Sequence, residues 1–70
     1  MSLDSFVRML GNRSAKKGIS LYDIGHKYGW KPEQVAAILR QEMAPTTAML
    51  KQIGQELDIE AKFLDETIRR

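Results

Sequence analysis

The charged side chains of this sequence are unevenly distributed, and their chemistry is that of anion binding. Between Arg8 and Lys31 there are six basic residues and a single acid, Asp23, so this stretch carries a net charge of +5. From residue 32 to residue 70, five basic residues face seven acids, a net charge of −2. Because lysine and arginine pair with anionic groups, we expect a positive field on the first part of the molecule. The plainer interpretation is that these cations are only solvated.

Catalytic and metal-binding chemistry have few candidate residues. The chain contains no cysteine and one histidine, His26, so the sequence offers no thiolate nucleophile, no disulfide and no partner for a histidine-bound metal. No pair of carboxylates, no nucleophile with a base and no glycine-rich phosphate loop occurs at usable spacing. We therefore expect no enzymatic activity, cofactor, metal or small-molecule substrate. His26 is interpreted as a solvated or phosphate-adjacent side chain.

The length and composition of the chain allow one small domain. Seventy residues, of which 43% are hydrophobic, can bury only a small core, and without disulfides helix packing must hold it together. No apolar run approaches the roughly 20 residues that span a bilayer, and no signal-peptide pattern is present. We expect a single soluble, cytoplasmic domain over residues 1–70, without membrane contact.

Five segments show apolar residues at helical spacing, so the sequence predicts an all-α fold. The predicted helices run from near Leu3 to between Gly11 and Lys17, from Leu21 to Tyr28, from Pro32 to about Gln41, from Thr46 or Thr47 to near Asp58, and from about Glu60 to Arg69. End signals support these bounds. Ser2 can cap the first helix, Ser20 and Asp23 can form a capping box before the second, and Pro32 suits a first helical turn.

The second and third predicted helices are joined by a three-residue turn, and the residues around it suit two helices that cross closely. Gly29 can take the left-handed conformation that ends the second helix. Gly25 leaves room where a larger side chain would push the helices apart. The apolar residues expected to face inward are Ile24, Tyr28, Trp30, Val35 and Ile38. These seven positions predict a helix-turn-helix over about residues 20–41, with Trp30 in the core or at its edge.

In this pair and beyond it, the sequence resembles the phage repressor and Cro-like helix-turn-helix family, also called the Xre family. The resemblance extends from Gly18 to Leu64. Outside the turn, it depends on the stretch from Gly18 to Gly25 and on Pro45, Leu50, Ile53, Gly54, Leu57, Asp58 and Ile59. It implies a compact five-helix lambda-repressor-like domain and a transcriptional regulator, such as a Cro protein or repressor. Such a protein binds a palindromic operator in double-stranded DNA as a homodimer.

The same resemblance implies roles for individual residues. In the family the third helix lies in the major groove, where all four base pairs are distinguishable. The base-facing candidates are Lys31, Pro32, Glu33, Gln34 and Ala37. The candidates for phosphate contacts are Lys27, Lys31, Arg40, Thr46 and Thr47.

Phe63 is a candidate for the dimer interface. By the resemblance it occupies a position that is usually polar, next to the inward Leu64. If it is exposed, it can form a contact between two copies together with Ile59. The alternative is that the core repacks around it.

Two departures from the family pattern leave a second interpretation open. Leu21 replaces the polar residue that usually opens the second helix and contacts a phosphate, and Glu42 lies in a loop that is often basic. With a net charge of only +2, they favour a protein-interaction module, such as a repressor antagonist, that keeps the scaffold without operator binding. The chain can also be the DNA-binding fragment of a longer protein.

Overall fold

A computed structural model describes residues 3–69, and this part of the chain forms five α-helices and no β-strand. The helices are α1 (Leu3–Lys17), α2 (Leu21–Tyr28), α3 (Pro32–Leu39), α4 (Thr47–Leu57) and α5 (Ala61–Arg69). The predicted all-α class and the five predicted helices are confirmed. The predicted N-cap Ser2 lies outside the described residues.

The two ends of α2 follow the local signals in the sequence. Ser20 Oγ accepts a hydrogen bond from the Asp23 N–H at 3.1 Å, and Asp23 Oδ2 accepts one from the Ser20 N–H at 2.9 Å. The bond from the Ser20 backbone also holds the pKa of Asp23 below its usual range. At the other end, Gly29 has φ 78°, the left-handed conformation. The predicted capping box and glycine stop are therefore confirmed.

The end of α3 differs from the prediction. The helix ends at Leu39 instead of about Gln41, because Gln41 adopts a φ of 63°. The N–H of Gln41 then donates to the Ile38 carbonyl, and that of Glu42 to the Ala37 carbonyl. This is the hydrogen-bond pattern of a Schellman motif, in which the left-handed position is usually a glycine. The sequence has glutamine there, so the usual stop signal is absent.

Replacing Gln41 with glycine is expected to stabilise the domain by about 0.5–1 kcal/mol, since glycine adopts a left-handed conformation without a Cβ clash. Urea denaturation measures the change in the free energy of unfolding. Gln41→Ala is the control, because it keeps the Cβ and loses the side-chain bond to Asp4. Equal stabilisation by alanine would contradict the backbone explanation.

The core is a single cluster to which all five helices contribute. Its buried side chains are Phe6, Leu10, Leu21, Ile24, Val35, Ile38, Met49, Leu50, Ile53, Leu57, Leu64 and Ile68. α5 packs on α1 and α4, α2 packs on α4, and α3 packs chiefly on α2. The position of α3 relative to the rest of the domain therefore depends mainly on α2.

Candidate nucleic-acid interface

Helices α2 and α3 approach each other closely at Gly25. A Cβ atom there would lie 2.9 Å from Val35 Cγ2 and 3.2 Å from Trp30 Cε3. Both distances are shorter than ordinary van der Waals contacts, so a larger residue would force these neighbours to move. The prediction that Gly25 allows close packing is confirmed. Ile24, Val35 and Ile38, predicted to face inward, are also buried.

The opposite side of α3 is open to solvent. Lys31, Pro32, Glu33 and Gln34 are exposed, and Ala37 is half-buried. These five residues lie at the start of α3 and on its first turns, and we call them the α3 surface. Four of the predicted base-facing residues thus lie on one helix and the fifth, Lys31, is its N-cap, and none is fully buried. Arg40, at the C-terminal end of the helix, is exposed as well.

Gln34 has a structural role that the sequence analysis missed. Its Oε1 accepts a hydrogen bond from the backbone N–H of Lys31 at 3.1 Å, which satisfies a donor at the start of α3. A glutamine three residues after the N-cap is a known signal for this bond. In this arrangement the side-chain Nε2 is left to donate to another acceptor.

Two of the predicted phosphate-binding cations are paired with acids. Lys27 Nζ lies 3.0 and 3.1 Å from the two carboxylate oxygens of Glu56, and Arg40 Nε lies 3.0 Å from Glu42 Oε1. Contacts from Lys27 and Arg40 to phosphate stay predictions. Within residues 3–69, the cations without an acidic partner are Arg13, Lys16, Lys17, Lys31, Lys51 and Lys62.

Thr46 and Thr47 lie at the N-terminus of α4. Thr46 Oγ1 accepts a hydrogen bond from the Met49 N–H at 3.1 Å and so caps the helix. Both threonines are exposed and line a groove with Ile68 and Arg69 of α5. The structure therefore places them beside α5, and phosphate contacts from these threonines stay predictions.

A cluster of polar contacts joins the C-terminal end of α2 and the turn that follows it to α4. We call this cluster the α2–α4 clasp. It consists of Lys27, Tyr28, Trp30, Gln52 and Glu56. Trp30 is half-buried, as predicted for a residue at the core edge, and its ring centroid lies 6.3 Å from that of Tyr28. Gln52 and Glu56 had no signal in the sequence, since their partners are 22 to 29 residues away.

Phe63 is 46% exposed, so the alternative of a core repacked around it is wrong. It lines a groove of about 310 Å³ with the half-buried Ile59 and with Arg13, Asp58 and Glu60. An apolar ring beside one cation and two acids is a surface of mixed character. Tyr22 of α2 is the other large exposed apolar residue in the described part of the chain, and the sequence analysis did not single it out.

Leu21 lies in the core, with 4% of its surface exposed. It lines an apolar groove with Val7, Leu10 and Leu39. The sequence predicts only that leucine here replaces a polar residue that contacts a phosphate. Burial beside α1 and α3 gives leucine a packing role at this position.

Residues 3–69 offer little for other kinds of site. They hold no group of three or more histidine, cysteine, aspartate or glutamate side chains placed to bind a metal ion. His26 is exposed beside Tyr22, Trp30 and Pro32. No helix in this part of the chain is both long and apolar enough to cross a membrane. No family model matches the chain, and no curated protein or solved structure matches it.

Proposed function

We propose that the chain is a sequence-specific, DNA-binding transcriptional regulator with a lambda-repressor-like fold, in which α2 and α3 form the helix-turn-helix. The observation that carries this proposal is the α3 surface. Close packing at Gly25 buries one side of α3 against α2 and leaves Lys31, Pro32 and Glu33 in solvent. A helix presented in this way fits the major groove, which is about 12 Å wide.

Each residue of the α3 surface has a chemical use at a base edge or a phosphate of duplex DNA. The Glu33 carboxylate accepts from the amino group of cytosine, and Gln34 Nε2 donates to a base or phosphate oxygen. Pro32 and the Ala37 methyl group contact thymine methyl groups. The Lys31 ammonium group, which has no acidic partner within residues 3–69, binds a phosphate and sets the register of the complex.

The regulator acts as a homodimer on a palindromic site. Two recognition helices that read successive major grooves lie about 34 Å apart. A domain with principal extents of 28 × 23 × 20 Å can place a second copy at that distance by direct contact. The exposed Phe63, together with Ile59, is the apolar surface that we assign to this contact.

Selection of bound fragments from random double-stranded DNA, followed by mobility-shift titration over a range of salt, tests the proposal. One sequence class should be enriched, and the logarithm of its affinity should fall with a slope of about −0.9 per phosphate contact against the logarithm of salt concentration. The proposal would be overturned if no sequence class were enriched and the protein did not bind DNA at low salt.

Glu33→Ala is expected to change the preferred base at one position of each half-site, with a loss of discrimination of about 1–3 kcal/mol. Glu33 is exposed and carries no ion pair within the described residues, so stability should fall only by the roughly 0.3–1 kcal/mol that an acid in the first turn contributes through the helix dipole. Glu66→Ala, an exposed acid on α5, is the matched control. An unchanged preference in Glu33→Ala would exclude this residue from base recognition.

A protein-interaction module that keeps the scaffold is the second candidate function. The ion pairs of Lys27 with Glu56 and of Arg40 with Glu42 reduce the charge available to phosphates, and these pairs favour it. For such a module the mobility-shift titration should show no bound DNA even at low salt. A repressor with a helix-turn-helix domain should then bind the chain in a sedimentation experiment.

A further inference from the structure

We infer that Gln52 and Glu56 of α4 are positioning residues that hold the turn before α3 and thereby set the angle of α3 on DNA. The part of this inference that concerns DNA rests on the proposed function. The part that concerns the turn rests on contacts of the described residues alone.

The packing of the helices explains why such a hold is needed. α3 packs chiefly on α2, and α2 in turn packs on α4. Both helices of the pair have only eight residues, so each offers few side chains to the core. Any tilt of α2 against α4 therefore moves α3 as well, and contacts between α2 and α4 restrict that tilt.

Trp30 connects all three elements at the point where α3 begins. It is the residue before Lys31, the N-cap of α3. Its backbone N–H donates to the Gly25 carbonyl of α2 at 2.8 Å, and its indole Nε1 donates to Gln52 Oε1 of α4 at 3.0 Å. Gln52 thus fixes the turn to α4 by a direct hydrogen bond.

Glu56 holds the end of α2 one helical turn further along α4. Its carboxylate accepts from Lys27 Nζ and, at 3.1 Å, from the Tyr28 hydroxyl group. Only 18% of the Glu56 side chain is exposed, which reduces competition from water. Since Tyr28 stacks beside Trp30, the two acceptors on α4 act on one continuous group of side chains.

The charges of the clasp predict its response to pH. The hydrogen bond from Lys27, with a smaller contribution from Tyr28, lowers the pKa of Glu56. The same pairing raises the pKa of Lys27. The stability from Glu56 is present above the ordinary glutamate pKa and is lost as pH falls through its lowered value. The stability from Lys27 is lost only as pH rises through the raised pKa of Lys27. Both groups are therefore charged and paired at neutral pH.

The fluorescence of Trp30, the only tryptophan of the chain, tests the hold on the turn directly. In the wild type, emission should change as pH falls below the ordinary glutamate range. Glu56→Gln should remove this change, and Glu66→Gln on α5 should keep it. Gln52→Leu should shift the emission at neutral pH, whereas Gln52→Glu retains the acceptor and should shift it less. Identical spectra and pH profiles in all variants would overturn the inference.

The DNA part is tested on the duplex enriched by the selection described above. Gln52→Leu should lower affinity for that duplex about tenfold while leaving affinity for a scrambled duplex unchanged at the same salt. Glu56→Gln frees Lys27 and adds one positive charge, so its expected effect is a loss of about tenfold in the ratio of specific to scrambled affinity. Gln52→Glu should restore most of the specific binding. A variant that only loosens the fold would lower both affinities together, and that outcome would contradict a positioning role. If the wild type binds neither duplex, the proposed function fails, while the fluorescence result still decides whether α4 holds the turn.

Discussion

Replacement of Gly54 by alanine is expected to destabilise the domain by about 2–3 kcal/mol. A Cβ atom at this position would overlap the backbone carbonyl oxygen of Ile59, in the connection between α4 and α5. That backbone cannot move away easily, because the Ile59 N–H donates to the Gly54 carbonyl at 2.9 Å. A domain of this size is stable by only about 4–10 kcal/mol, so the loss is a large share of the total.

Gly11→Ala is the matched control for this substitution. Gly11 is exposed in α1, and a Cβ atom there would meet nothing within 4 Å. Helix propensity alone should then raise stability by about 0.5–1 kcal/mol. Urea denaturation followed by circular dichroism measures both variants. Gly54→Ala would contradict the close approach of the Ile59 carbonyl oxygen to Gly54 if its stability matched the wild type or rose like that of Gly11→Ala.

Charge reversal at Lys31 is expected to weaken specific DNA binding by about 30- to 100-fold at moderate salt, provided that the proposed function is correct. The substitution Lys31→Glu removes one phosphate contact and places a carboxylate close to the same phosphate. The salt slope should become shallower by about 1 to 2. Stability should not fall, since an acid at the N-cap of α3 interacts favourably with the helix dipole.

Lys51→Glu separates this local effect from net charge. Lys51 is an exposed residue of α4 without an acidic partner in the described residues, and the proposal leaves it outside the DNA contact. Both variants change the net charge of the protein by the same amount. A mobility-shift titration should show a much smaller loss for Lys51→Glu. Equal losses would mean that overall charge, and not the α3 surface, governs binding.

The parts of the structure that were predictable depend on short-range signals. Ser20 and Asp23 are three residues apart and cap α2 through their own backbone groups, and Gly29 ends the helix by its conformation alone. The α3 surface was predictable for a similar reason. Once Val35 and Ile38 face inward, helical geometry turns Glu33 outward, and Lys31 is exposed because it is the extended N-cap before the first helical residue.

The end of α3 was predicted wrongly because the residue there departs from the type that usually marks a helix end. Gln41 takes the left-handed position at the end of α3 without being a glycine, so the helix was predicted about two residues too long. Leu21, expected to replace a polar residue that contacts a phosphate, packs in the core.

The sequence by itself determined the five helices, the turn that joins α2 to α3 and the residues that α3 presents to solvent. Only the tertiary structure decided which polar groups pair across the domain. Lys27 and Glu56 are 29 positions apart, and nothing in the spacing of either residue indicates that α4 brings the carboxylate to the end of α2. The exposure of Phe63 was open for the same reason, because burial depends on which helices cover a face. Local signals act within a few residues, whereas these contacts exist only after the helices have packed.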